Sequence, residues 1–179
     1  MLSIQAATLA DAPELLQFEL ENRGFFERWL AGRGEDFYRL AVVEHMLKKA
    51  EIDWLAGRSY QYLIRLDGQI MGRINLIDVK RGSLNQACVG FRIGERFVRR
   101  GIASEALEFA LFEAFTVHHL WRIEALARPD NTASLKALQK NGFHPFGRAT
   151  RCIFLNGQWH DLIHFERHAD GYTPEITPT

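Results

Sequence analysis

Apolar residues recur along this chain with two different periods, and each switch between them marks an element boundary. Residues 2–7 alternate and predict a first strand. Asp11 then resembles a helix N-cap, with Pro13 in the first turn and Glu14 three residues after the cap. The helix is predicted to reach about Asn22 and to break at Gly24, with residues 25–31 as a short second helix before Gly32 and Gly34. Leu40, Val43, Leu47, Ala50 and Trp54 repeat at helical spacing, so a third helix is predicted to end near Gly57. Residues 60–66, the turn Asp67-Gly68 and residues 69–78 read as a hairpin, and 87–93 as a further strand. A helix over 102–117 carries Ala106, Ala110 and Ala114 on one stripe, small enough to let it lie close to a sheet. A strand over 122–127 and a helix over 132–141 follow, with Gly142 where a C′ glycine belongs. Residues 148–155 and 158–167 flank Asn156-Gly157, the strongest hairpin signal in the chain.

This order predicts an α/β fold: a mixed sheet with helices on both faces, in one domain spanning 1–179, with a loosely held tail over 170–179. The composition, 47% hydrophobic and 25% charged, is that of an ordinary globular domain, which at this length needs no metal or disulfide. Lys plus Arg and Asp plus Glu both number 22, a balance that argues against a nucleic-acid coat or a membrane-surface protein. Cys88 and Cys152 sit in separate strand-like runs and read as small buried apolar residues; two free thiols suggest the cytoplasm. No signal peptide is evident at the first residues, and no apolar run approaches the ~20 residues of a membrane span.

Candidate chemistry concentrates where the strand over 87–93 enters the helix that opens at Gly101-Ile102-Ala103-Ser104. Free N–H groups at a helix N-terminus bind anions. Gly101 lets backbone approach a phosphate, Ala103 and Ser104 are small, and Arg99 and Arg100 add charge. An ordinary turn glycine beside solvated arginines would leave the same pattern. Neither a Walker A loop nor a dinucleotide fingerprint is present. Downstream, Asn131-Thr132-Ala133-Ser134 begins a helix that Gly142-Phe143 closes, a pattern plain caps would also produce.

Together these segments resemble the Gcn5-related N-acetyltransferase (GNAT) superfamily. Its acetyl-CoA motif, Gln/Arg-x-x-Gly-x-Gly/Ala, falls on Val98-Arg99-Arg100-Gly101-Ile102-Ala103, with Val98 departing from the pattern. The Asn-x-x-Ser…Gly-Phe block matches Asn131, Ser134, Gly142 and Phe143. Glu21-Asn22-Arg23, Trp29, Arg81-Gly82-Ser83 and Asn156-Gly157-Gln158-Trp159 with Asp161 look like the ribosomal-protein alanine N-acetyltransferases of the RimJ/RimL type. The resemblance implies an approximately seven-stranded sheet and acetyl-CoA as cosubstrate, held by Phe91, Arg92, Ile93, Arg99, Arg100, Gly101, Ile102, Ala103, Ser104, Asn131 and Ser134. It also implies direct attack of a neutral amine on the thioester, a carbonyl-binding N–H between Phe91 and Ile93, and Ser134 as proton donor to the leaving thiolate.

Two positions depart from this pattern. Leu138 stands where many relatives carry an acidic tyrosine, and Ile153 where RimL-type enzymes carry a glutamate. Glu124 is the remaining candidate base, with a structural ion pair or a water chain as alternatives. His160, His164 and His168 would suggest a metal on a helix, but after an Asn-Gly turn they belong to a strand, where four residues span ~13 Å; no metal is expected. The leading acceptor is a protein N-terminal amine. The alternatives are a small amine (a polyamine, an antibiotic or an amino acid) or a weakly catalytic acetyl-CoA-binding module. No membrane partner is expected, and a nucleic-acid role would rest only on Arg92, Arg96, Arg99 and Arg100. The chain is expected to be a monomer or homodimer.

Overall fold

The computed structural model describes residues 2–171; of the tail expected over 170–179, only Asp170 and Gly171 fall within them. A strand β1 (Leu2–Ala6) leads through a short 3₁₀ turn to helix α1 (Ala12–Phe26), a second 3₁₀ turn (Glu35–Tyr38) and helix α2 (Leu40–Leu55). Strands β2 (Tyr60–Leu66), β3 (Gln69–Lys80) and β4 (Gln86–Ile93) form a meander. Helix α3 (Ile102–Phe112) runs on as a π-helical turn (Glu113–Val117), followed by β5 (Arg122–Ala127), α4 (Thr132–Lys140), β6 (His144–Leu155) and β7 (Gln158–His168).

The seven strands lie in the order β1-β2-β3-β4-β5-β7-β6. Neighbours are antiparallel except β4 and β5, which are parallel. Helices α1 and α2 cover β2 and β3 on one face, burying Leu15, Phe18, Val43, Leu47, Leu63 and Ile70 together. Helices α3 and α4 cover the other face, over Ile74, Leu76, Val89, Ile123 and Phe165. The predicted alanine stripe is the contact surface of α3: Ala106, Ala110 and Ala114 are all buried. Asn156 and Gly157 both have positive φ, +51° and +78°, as the predicted two-residue hairpin turn requires.

The structure corrects the reading of the first forty residues. Gly24 does not end α1, which continues to Phe26, and residues 25–31 are no separate helix. A mid-helix glycine costs only about 1 kcal/mol. Burial of Phe26 on the same stripe as Leu15 and Phe18 outweighs that. Asp11 precedes α1, but its carboxylate accepts from the Thr8 N–H and hydroxyl at 2.7 and 2.8 Å and pairs with Arg65. Glu14 accepts from Ile70 N–H, joining α1 to the sheet instead of closing a capping box. Cys88 is half-buried, whereas Cys152 is exposed beside a register shift in β6, against the expectation of burial.

Candidate active site

The parallel pair is short. Gln86, Ala87 and Cys88 of β4 face Arg122, Ile123 and Glu124 of β5. Beyond them β4 stays on β3, from Val89↔Leu76 to Ile93↔Gly72, while β5 stays on β7, from Ala125↔Phe165 to Ala127↔Ile163. A wedge therefore opens between residues 89–93 and 125–127. The N–H of Gly94 donates to Met71 O on β3 at 2.8 Å. By the two-residue alternation of a strand, Gly90 and Arg92 also turn their backbone groups to β3, and Phe91 and Ile93 turn theirs into the wedge. Side chains alternate across the other axis: Phe91 and Ile93 pack toward α3, and Arg92 points toward α1.

The chain leaves β4 through a short 3₁₀ turn and reaches α3 at Gly101, whose φ of +81° suits glycine. Ser104 and Glu105 N–H groups turn back onto Gly101 O, while those of Ile102 and Ala103 have no acceptor within the helix. Arg99 and Arg100 are exposed beside this end, and Arg100 lies over the Phe97 ring. Ile102 buries its side chain and leaves only its backbone at the opening. Ser104 Oγ accepts from Asn141 Nδ2 at 3.0 Å, tying the first turn of α3 to the end of α4. A surface depression of about 480 Å³ here is lined by Ser104, Glu108, Lys140, Asn141 and Arg167 among others.

Asn131 is the N-cap of α4, its Oδ1 accepting from Ser134 N–H at 3.2 Å. The Ser134 side chain is half-buried in the first turn of that helix. Leu138, one turn further on, is 1% exposed and belongs to the core, so this helix brings no phenol. Glu124 lies at the closed end of the wedge, paired with Arg122, which also binds Glu166. The ion-pair alternative is therefore the one the structure displays. His160, His164 and His168 lie along β7 as expected, and no metal-binding cluster occurs among the described residues.

Over the open end of the wedge arches the connection between α1 and α2. Asn156 Nδ2 donates to Glu27 O at 3.3 Å, and Arg128 donates to Arg28 O while lying over the Trp29 ring. The smaller cavity, about 380 Å³, lies between this connection and the β6–β7 turn and is lined by residues including Leu30, Gly32, Gly34 and Phe154. Asn22 anchors the same region: its Oδ1 accepts from Glu95 N–H at 2.8 Å, holding the β4–α3 loop against α1.

A buried charge cluster adjoins this arch. Glu19, 1% exposed, accepts from Arg73 at 2.8 Å and from Arg92 at 3.0 Å, one carboxylate oxygen each. Burial pushes its pKa up, but the charges of Arg92, Arg73 and Arg33, with the Arg73 hydrogen bond, outweigh that and hold it below the usual carboxylate range. Arg33 is pushed down to about 10, first by burial and then by repulsion from Arg92. This placement removes Arg92 from any exposed basic patch. Sequence reasoning did not single out Glu19, Arg33, Arg73 or Asn141. The available signal was Glu19 and Asn22 lying on the same helical stripe as Leu15, Phe18 and Phe26.

Comparison with known proteins is consistent in sequence and structure. A model described as an acetyltransferase (GNAT) domain matches residues 2–144. The chain is 31% identical over 160 residues to the probable N-acetyltransferase YjcK of Bacillus subtilis, covering 88% of each. It is 28% identical over 173 residues to a ribosomal protein uS5 alanine N-acetyltransferase of Escherichia coli, covering 92% of this chain and 86% of the other. The ribosomal-protein-S5-alanine acetyltransferase from Vibrio fischeri superposes with a TM-score of 0.91 at 21% identity, over 97% of this chain and 96% of that one. Mycobacterium smegmatis RimJ in complex with CoA-disulfide superposes at 0.87 and 26% identity, over 94% and 82%.

Proposed function

The chain belongs to the GNAT acetyltransferase family and is an N-acetyltransferase that uses acetyl-CoA, and from that premise we propose that its acceptor is the N-terminal α-amine of a protein, an alanine of a ribosomal protein in particular. The observation that carries the reading is the wedge, whose Phe91 and Ile93 backbone groups converge with the open end of α3. The helix end suits a pyrophosphate: two unpaired N–H groups, a glycine in the left-handed region and two arginines. An extended pantetheine chain suits the free edge of β4, as an added strand would. Acetyl-CoA supplies the activated acetyl thioester.

The chain's own residues then have three tasks. A wedge-facing N–H of Phe91 or Ile93 donates to the acetyl carbonyl and stabilises the oxyanion that develops on it. Ser134, in the first turn of α4, donates a proton to the leaving sulfur and is reprotonated through solvent by the one that the attacking nitrogen releases as the amide forms. The acceptor amine arrives neutral, and no carboxylate of this chain is called on to deprotonate it. That last point favours an α-amine. With a pKa of about 7.7–8.0, on the order of 10% of it is neutral at pH 7, against about 0.04% for a lysine at about 10.4.

The test uses matched peptides, one with a free N-terminal alanine and one blocked at the N-terminus and carrying a single lysine. Acetylation of the free alanine is expected to dominate. Equal rates would refute the N-terminal assignment, and efficient turnover of a polyamine alone would favour the small-amine alternative.

A further inference from the structure

The cluster around Glu19 holds more positive charge than the structure neutralises. Both Glu19 oxygens are taken, by Arg73 and by Arg92. The remaining contact of Arg73 is to the neutral Gln61 Oε1 at 2.9 Å, and its buried Nε has no hydrogen-bond partner. Arg33 pairs with no carboxylate among the described residues; its guanidinium lies 4.3 Å over the Phe37 ring and feels the charges of Glu19, Arg92 and Arg73. Arg92 is likewise braced, 5.0 Å over the Phe26 ring. Arg73 and Arg92 share one carboxylate, and Arg33 adds a third positive charge within its field. Like charges held this close in a half-buried site repel strongly unless an anion joins them.

The position of the cluster says what that anion belongs to. Arg92 sits between Phe91 and Ile93, whose backbone edges face the wedge. Arg33 sits between Gly32 and Gly34, both of which line the cavity under the α1–α2 arch. Two members of the cluster are thus next in sequence to residues of the proposed acyl-transfer point and of the cavity beside it, whose lining the four side chains themselves do not join. Resting on the N-terminal reading, we propose that Arg33, backed by Arg92 and Arg73, binds a carboxylate carried by an acidic residue close behind the acceptor's N-terminal amine. A guanidinium fork matches a carboxylate in two parallel hydrogen bonds, and aromatic rings flanking two of the arginines hold their planes in place. An extended peptide advances ~3.4 Å per residue, so the acidic side chain is sought at positions two to four of the acceptor.

The experiment compares peptides beginning with alanine that carry Asp or Asn at position two, three or four, with free alanine and alaninamide as further acceptors. Wild type, Arg33→Gln and Arg33→Lys are assayed by kcat and KM separately, with thermal unfolding to confirm that each variant folds. One Asp position is expected to raise kcat/KM about ten-fold over its Asn partner, about 1.4 kcal/mol, mainly through KM. That ratio is expected to collapse in Arg33→Gln and to persist in part in Arg33→Lys. Equal rates for Asp and Asn at every position, or a ratio unchanged in Arg33→Gln, would overturn the inference while the N-terminal assignment stands. A preference for free alanine over alaninamide with no Asp effect would also overturn it, moving the site to an α-carboxylate. If no peptide α-amine is acetylated although acetyl-CoA binds, the N-terminal assignment fails and this inference fails with it.

Discussion

Replacing Glu19 by Gln keeps its size and removes the charge that holds Arg73 and Arg92 together. The side chain is 1% exposed and bonds Arg73 and Arg92 at 2.8 and 3.0 Å. In Glu19→Gln one of those guanidinium groups meets an amide NH₂, donor against donor, and neither finds a negative charge. Removing one partner of a buried ion pair costs about 3–5 kcal/mol. For a domain of this length each 1 kcal/mol shifts Tm by roughly 2–4 °C, so a fall of about 6–20 °C is expected. Urea unfolding should show a lower midpoint at unchanged slope. Adding Arg92→Gln to Glu19→Gln should recover part of the loss, because it deletes one of the stranded charges. The pH sign is fixed by the same cluster. A carboxylate held below its unfolded value stabilises fully above the ordinary carboxylate range, and that contribution is lost as pH falls through the lower folded value. The variant should therefore lose less stability than wild type between neutral and acid pH. A loss under about 1 kcal/mol, or a double variant no more stable than the single one, would refute the reasoning.

Gly101→Val is expected to weaken acetyl-CoA binding by at least about ten-fold in calorimetry. A β-branched residue at φ +81° is strained by more than the 1–2 kcal/mol of an ordinary left-handed residue, and the helix end must shift to relieve it. Ser134→Ala should lower turnover by roughly 10²-fold or more while leaving acetyl-CoA affinity within about two-fold, since general-acid help is typically that large; unchanged turnover in a chemistry-limited assay removes Ser134 from the mechanism. His118 stacks on Tyr60 at 3.4 Å, and burial, then Arg81 and His119, push it down to about 4. Its unfolded form takes up a proton near pH 6.5, so stability present above that value should fall by at most about 3 kcal/mol as pH drops toward 4. His118→Gln should flatten that dependence in urea titrations at pH 7 and 4.5.

Much of this molecule was legible because local rules and tertiary packing agree. The Asp67-Gly68 and Asn156-Gly157 turns fix their hairpins, and the alanine stripe of α3 announces a close helix–sheet contact. The reading failed where they conflict. Gly24 says stop, but Phe26 has a core to enter, and burial decides. The loop-to-helix junction at Gly101 was visible because a left-handed residue ahead of a helix leaves a glycine in the sequence. The Glu19 cluster was not, because its members come from α1, the α1–α2 connection, β3 and β4 and meet only across the fold. The wedge was equally invisible: it consists of hydrogen bonds that two strands do not make to each other, and side-chain pattern carries no record of them.

Only three residue pairs of β4 and β5 join the two antiparallel blocks of the sheet, β1–β4 and β5–β7. Each block is held internally by longer antiparallel ladders, so the seam between them is the natural place for partial opening. In amide hydrogen exchange, Phe91 and Ile93 are expected to exchange faster than Gly90 and Arg92, whose N–H groups face β3. Acetyl-CoA lying along the seam would bond across it and slow exchange in both blocks at once. The cosubstrate would then serve as the missing strand of the enzyme it reacts in, and the rate at which the blocks part would set a ceiling on how fast spent CoA can leave.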